Sequence, residues 1–169
     1  MANHAVELKN STGPGWVPTA LDGLQQSLEI ANEKRVKIVI NGGAINPKGL
    51  AEETHKMVKE KGLDLTVAYV DGDNMMHEIQ HILDEIKSGA VAHLDADNGN
   101  VHLAKDALYF LEHPESTPIV SANAYLGYRA IKEGLDRGAD VIICGRVADA
   151  SPVIAAAAWW HKWQESDLD

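Results

Sequence analysis

Apolar positions along this 169-residue chain follow two rhythms. Short runs dense in β-branched residues fall at 36–40, 65–70, 91–94, 118–122 and 141–144, each bounded by turn-forming residues and each of strand length. Between them the apolar residues take helical spacing: Leu21, Leu24, Leu28 and Ala31, then Ile79, Ile82, Leu83 and Ile86, then Ala104, Leu108 and Leu111 within 102–112. Thr19, Asn46 and Ser151 stand where helix caps go. Pro47 and Pro152 suit first helical positions, and Gly62, Gly89 and Gly138 suit helix ends. Strand alternating with helix predicts an α/β fold: a mostly parallel sheet of about five strands with helices on both faces, three-layered and Rossmann-like. Residues 1–17, with the loop signal Asn10-Ser11-Thr12-Gly13-Pro14-Gly15, read as an N-terminal arm, and 18–169 as a single α/β domain.

Parallel strands bring their carboxyl ends to one edge, and that edge concentrates the polar chemistry. Four strands run into small polar clusters: Asn41-Gly42-Gly43, Asp71-Gly72-Asp73-Asn74, Ser121-Ala122-Asn123, and Gly145-Arg146 with Asp149. Turns after strands are often rich in Gly, Asn and Asp because those residues make turns and caps. Four such clusters together, one carrying an arginine, favour a shared ligand crevice. Helix starts near Asn46, Asn123 and Ser151 would offer backbone N–H groups to an anion, and Arg146 a fork for carboxylate or phosphate. Asp71, Asp73 and Asp149 are candidate acids and bases, and three carboxylates in one cleft also admit a magnesium ion.

Other chemistries lack their signatures. There is no G-x-G-x-x-G, no P-loop and no G-x-S-x-G elbow, and the one cysteine, Cys144, lies inside an apolar run. His77-Glu78-Ile79-Gln80-His81 matches the zinc-protease motif, but at 100° per residue both histidines fall opposite the stripe of Ile79, Ile82, Leu83 and Ile86. A solvated helix face accounts for it, so no metal ligand is assigned.

A net charge of -10 with no basic patch argues against a nucleic-acid partner. A single cysteine excludes an internal disulfide, no leader opens the chain, and no apolar run approaches roughly 20 residues. A cytoplasmic protein without membrane contact is expected. Trp159, Trp160 and Trp163 mark the last helix as core or as a contact between copies of a homo-oligomer.

Several segments together resemble the acyclic terpene utilisation (AtuA-like) family. They are Asn41-Gly42-Gly43-Ala44-Ile45-Asn46-Pro47, Val70-Asp71-Gly72-Asp73, Ser121-Ala122-Asn123-Ala124-Tyr125-Leu126-Gly127, the stretch from Gly138 to Ser151, and Trp159-Trp160-His161-Lys162-Trp163. The resemblance implies catabolism of acyclic terpenes through CoA thioesters, or action on other small metabolites. Family members usually run to several hundred residues, start with a glycine-rich strand–turn segment and continue past the tryptophan helix. This chain is therefore expected to be a paralogue shortened at both ends or a piece of a longer protein.

The resulting expectation is an enzyme acting on a small acyl or terpenoid metabolite, with CoA as part of the substrate, by lyase, hydratase or isomerase chemistry, hydrolysis being a further option. Asp73, Arg146 and Asp149 form the catalytic set. Asn41, Gly42, Gly43, Asn46, Asp71, Ser121, Asn123, Tyr125 and Ser151 form the substrate-binding set. The alternative is a non-catalytic module that binds or oligomerises through the tryptophan helix.

Overall fold

The computed structural model describes all residues except His93, Leu103, Lys105 and Asp169, and the backbone alone of Glu165 and Leu168. Its chain forms two compact units, Met1–Asn74 with Asn123–Asp169, and Met75–Ala122.

The first unit is built on the most apolar run. β3 (Val141–Cys144) has all four residues buried and lies at the centre of a parallel sheet of order β1-β3-β2, with β1 (Ile38–Ile40) and β2 (Val67–Val70) at its edges. Ile38 pairs with Val141 on one side of β3, and Val67 pairs with Val141 on the other. Because side chains alternate across a strand, β3 serves two cores. Val141 and Ile143 pack with Leu24 and Leu28 of α2 (Pro18–Lys34) and with Leu50 and Val58 of α3 (Pro47–Glu60). Ile142 and Cys144 pack with Ile131 and Leu135 of α6 (Arg129–Asp136) and with Ala155 of α7 (Ser151–His161).

One buried aspartate ties the amino ends of all three strands. Asp140 accepts from Lys37 Nζ at 2.8 Å and from the Thr66 amide at 2.8 Å, and its own carbonyl accepts the Ile38 amide at 2.8 Å. Burial pushes the Asp140 carboxyl up, but the Lys37 ammonium and the Thr66 amide outweigh it and hold the group below the ordinary value.

Among the described residues the sheet has three strands, where about five were expected. The segment 118–122 has no ladder, and pairing near it is confined to an isolated antiparallel bridge between Asn74 and Asn123. Pro118 brings no N–H, and only Ile119 and Val120 are strongly apolar, too little to hold a strand without a neighbour. The strand expected at 91–94 includes His93, outside the described residues, and Val91 before it is exposed. The helix expected at 102–112 includes Leu103 and Lys105, likewise outside them. Its described helical part is α5 (Tyr109–Glu112).

The second unit also holds α4 (Ile79–Ser88), preceded by a 3₁₀ turn at Met76–Glu78. His77 lies in that turn and His81 in α4, both with side chains about 70 % exposed, so the two histidines do not share one regular helix (71 % and 68 %). Within this unit Ile86, Val91, Ala92, Ala96, Val101 and Leu108, together with Asp95, line a mostly apolar cavity of about 540 Å³. No helix among the described residues is long and apolar enough to cross a membrane.

Candidate functional site

The carboxyl ends of β1, β3 and β2 stand side by side, as parallel pairing requires, so Asn41-Gly42-Gly43, Gly145-Arg146 and Asp71-Gly72-Asp73 share one edge of the first unit. Each cluster does something different there.

After β1, the Gly43 amide donates to the Cys144 carbonyl at 3.0 Å, holding the turn against β3. A Cβ on Gly43 would lie 2.6 Å from that oxygen and 2.6 Å from Pro47 Cα, so only glycine fits. Asn46 caps α3 as its sequence position implies: its Oδ1 accepts from the Gly49 amide at 3.0 Å and its Nδ2 donates to the Pro14 carbonyl at 2.9 Å. Both ends of that side chain are thus committed. The chain from Pro14 to Val17 is laced to this turn, with Val17 N–H on the Gly42 carbonyl and Ile45 N–H on the Gly15 carbonyl. Trp16 packs against the α2–α3 core, which fixes the end of the arm. The arm itself carries α1 (Ala2–Lys9), which buries none of its residues.

After β2, Asp71 is exposed and Asp73 is buried, 3 % exposed. Asp73 Oδ2 accepts Asn123 Nδ2 at 2.8 Å and the Arg146 backbone amide at 3.0 Å, while the Asp73 carbonyl accepts Ala124 N–H at 2.7 Å. Its other carboxylate oxygen faces Gly145, where a Cβ would come within 2.5 Å. Asp73 is therefore the brace that shapes the turn presenting Arg146.

After β3, the Arg146 guanidinium stacks over the Tyr125 ring, 4.0 Å from its centroid, and donates to the Tyr125 hydroxyl. The Arg146 carbonyl accepts Leu126 N–H and the Leu126 carbonyl accepts Ala148 N–H, a short parallel bridge that carries residues 123–126 across this edge. Asp149 is exposed and makes no hydrogen bond or ion pair among the described residues; it does not pair with Arg146.

Helix starts differ from the sequence expectation in two places. α2 begins at Pro18 with Val17 before it, because proline at the first turn needs no cap, so Thr19 lies inside the helix. α7 begins at Ser151 itself, after Ala150, and the Ser151 hydroxyl turns inward to the Leu126 carbonyl at 3.3 Å instead of capping the helix. Ser121 belongs to the second unit.

Cys144 sits beneath this edge, fully buried. Burial, and secondarily the Asp73 carboxylate, push its thiol up to about 12. The thiol is neutral and shielded at pH 8, so Ellman's reagent is expected to label the native chain negligibly and the guanidinium-unfolded chain fully. Rapid labelling without denaturant would mean that β3 is open. Among the described residues no three acidic, histidine or cysteine side chains converge to hold a metal ion.

Two contributions had only faint sequence signals: Gly13-Pro14-Gly15 for the arm laced to the β1 turn, and Leu126 for the bridge beside Arg146. On the last helix Trp159 packs into the α6–α7 core, while Trp160 is 71 % exposed and Trp163 follows the helix.

Compared with known proteins, residues 1–169 match the family model of "Acyclic terpene utilisation family protein AtuA". No curated protein and no solved structure matches.

Proposed function

Since the chain belongs to the acyclic terpene utilisation (AtuA) family, we propose that the carboxyl edge of its sheet performs acid–base chemistry on a small acyl or terpenoid-derived metabolite, carried as its CoA thioester. One observation carries this reading. A half-exposed arginine at the end of the central strand is braced through its backbone by a buried aspartate, and an uncommitted carboxylate follows it in the same turn.

Arg146 supplies a fixed positive charge for a carboxylate, a phosphate or a carbonyl oxygen that becomes an enolate. Asp149 accepts the proton lost from the neighbouring carbon. Returning that proton to a different carbon is isomerisation, and expelling a β-substituent is a lyase or hydratase step. Asn123 and Asp73 act through Arg146 by positioning it, and Tyr125 orients both guanidinium and substrate. The Asn41 side chain and the Gly42 N–H lie one strand away, about 5 Å in the sheet plane, while both backbone groups of Gly43 are taken up within the turn. Asp71 supplies further acidity at the rim.

A thermal-shift screen with acyl-CoAs and acyclic terpenoid acids supplies the substrate. On it, Arg146→Ala and Asp149→Asn are each expected to lower kcat/KM by about 10²-fold or more while leaving the circular dichroism unchanged. If neither changes turnover, the assignment falls. The second reading, a binding module that self-associates through α7, is favoured by the exposure of Val153 and Trp160. An oligomeric mass together with no shift from any metabolite would select it.

A further inference from the structure

Chemistry that removes a proton and expels an oxygen must also supply a proton, and Arg146 and Asp149 do not provide the donor. An ionised carboxylate only accepts hydrogen bonds, and an arginine keeps its protons. In the segments that make up the carboxyl edge, 41–46, 71–74, 123–126 and 145–151, hydroxyl groups come from Tyr125 and Ser151 alone. The Ser151 hydroxyl is turned inward and committed to the Leu126 carbonyl at 3.3 Å. Tyr125 differs: it is 64 % exposed, and its oxygen accepts from the Arg146 guanidinium, which leaves its own O–H to donate elsewhere.

The backbone on both sides of Tyr125 is tied down. Ala124 N–H donates to the Asp73 carbonyl at 2.7 Å, and Leu126 N–H to the Arg146 carbonyl at 3.2 Å. The Leu126 carbonyl in turn accepts Ala148 N–H at 2.9 Å, so the residue after Tyr125 is bonded to the residue before Asp149. One short bridge thus presents the phenol and the uncommitted carboxylate together, with the arginine stacked on the phenol ring.

We propose that Tyr125 is the general acid of this edge, and that the reaction is loss of water from a β-hydroxy carbonyl compound or its reverse. The proposal rests on the acid–base reading and adds the proton donor and the choice of reaction. Asp149 takes the proton from the carbon beside the carbonyl, and the electron pair of that C–H bond moves onto the carbonyl oxygen, an enolate facing Arg146. The pair then returns to form the carbon–carbon double bond as the β carbon–oxygen bond breaks. The departing hydroxyl takes the Tyr125 proton and leaves as water, and the guanidinium already bonded to the Tyr125 oxygen holds the phenolate that remains. Asp149 gives its proton to solvent and Tyr125 takes one back, both residues being exposed. Isomerisation needs no such donor, because a single base can carry a proton from carbon to carbon.

The test follows two reactions of the full chain in deuterated water, with saturated acyl-CoAs and their β-hydroxy counterparts as probes. Deuterium entry beside the carbonyl of a saturated probe needs base and arginine but no leaving group. Loss of water from the β-hydroxy probe needs the acid as well. Tyr125→Phe removes one hydroxyl from an exposed ring, so the thermal midpoint should not move. It is expected to slow water loss by about 10²-fold or more and to leave deuterium entry within about threefold of the wild type. Asp149→Asn and Arg146→Ala should slow both reactions. A β-chloro probe, whose leaving group departs without a proton, should return Tyr125→Phe to near the wild-type rate.

Water loss at the wild-type rate in Tyr125→Phe overturns the proposal. An equal fall in both reactions does so too, because Tyr125 would then only position Arg146. Deuterium entry without water loss in the wild type sinks the proposal and keeps the acid–base reading. No deuterium entry in the wild type sinks that reading, and the proposal with it.

Discussion

Gly43→Ala is expected to lower stability by about 3 kcal/mol, at the top of the usual range for overpacking, and the thermal midpoint by roughly 6–12 °C. The new methyl would meet two backbone groups, the Cys144 carbonyl and Pro47 Cα, each at 2.6 Å. Neither is the tip of a flexible side chain, so relief requires β1 to move off β3 or α3 to move off the sheet. Moving β1 also stretches the Gly43 N–H bond to the same carbonyl. Gly23→Ala is the internal control, since nothing lies within 4 Å of its Cβ, and alanine there should be neutral or stabilising by up to about 1 kcal/mol. Urea denaturation of both variants decides the matter. Equal midpoints for Gly43→Ala and the wild type would refute the close approach of these turns.

Asp73→Ala should cost about 3 kcal/mol as well, through lost hydrogen bonds instead of a clash. The carboxylate accepts from Asn123 and from the Arg146 amide on one oxygen, and its removal leaves both donors short of a partner in a buried place. Asp73→Asn keeps the shape and one acceptor oxygen, and is expected to lose about half as much. Asp149→Asn, at an exposed residue without a partner among the described residues, should stay within about 0.5 kcal/mol of the wild type. The contrast separates the two carboxylates: Asp73 acts on stability and on the placement of Arg146, and Asp149 on turnover alone. An Asp73→Ala chain as stable as the wild type in urea would mean that the brace does not exist.

These two positions show how much of the molecule could be read from its residues. β3 was legible because an uninterrupted apolar run between turn formers has few other homes than the centre of a sheet, and Cys144 is buried there as expected. Asn46-Pro47 was legible because capping is local chemistry. The placement of Asp73 and Arg146 near one another followed from parallel strand order, whereas Asn123 joins them by an antiparallel bridge to Asn74 and not by the strand expected before it. Their hydrogen bonds did not follow from strand order, because which oxygen accepts which donor is settled by contacts 50 and 73 residues apart in the chain.

The same limit hid Asp140. Its role depends on Lys37 and Thr66, distant in sequence, and nothing local distinguishes it from any aspartate before a strand. Ser151 was misread as a cap because its pattern is right locally, while the Leu126 carbonyl offers its hydroxyl a partner that only the fold reveals. Segment 118–122 has strand-like composition but no partner strand among the described residues, and composition alone does not supply one. On α7, spacing marked the tryptophans as a stripe, but only the packing tells Trp159 inside from Trp160 outside.

The strand order has a consequence for how the sheet comes into being. β1 and β2 are not neighbours in the sheet; among the described residues each pairs only with β3, which comes after both and 71 residues beyond the end of β2 (70 to 141). Neither edge strand has a ladder partner until residues 141–144 are in place, so the sheet cannot grow strand by strand from the amino end. All of its pairing is non-local, which places its assembly late and makes it slow relative to the helices around it. During synthesis, both edge strands wait unpaired while the whole second unit is made, and a single four-residue segment then closes the sheet on both sides at once.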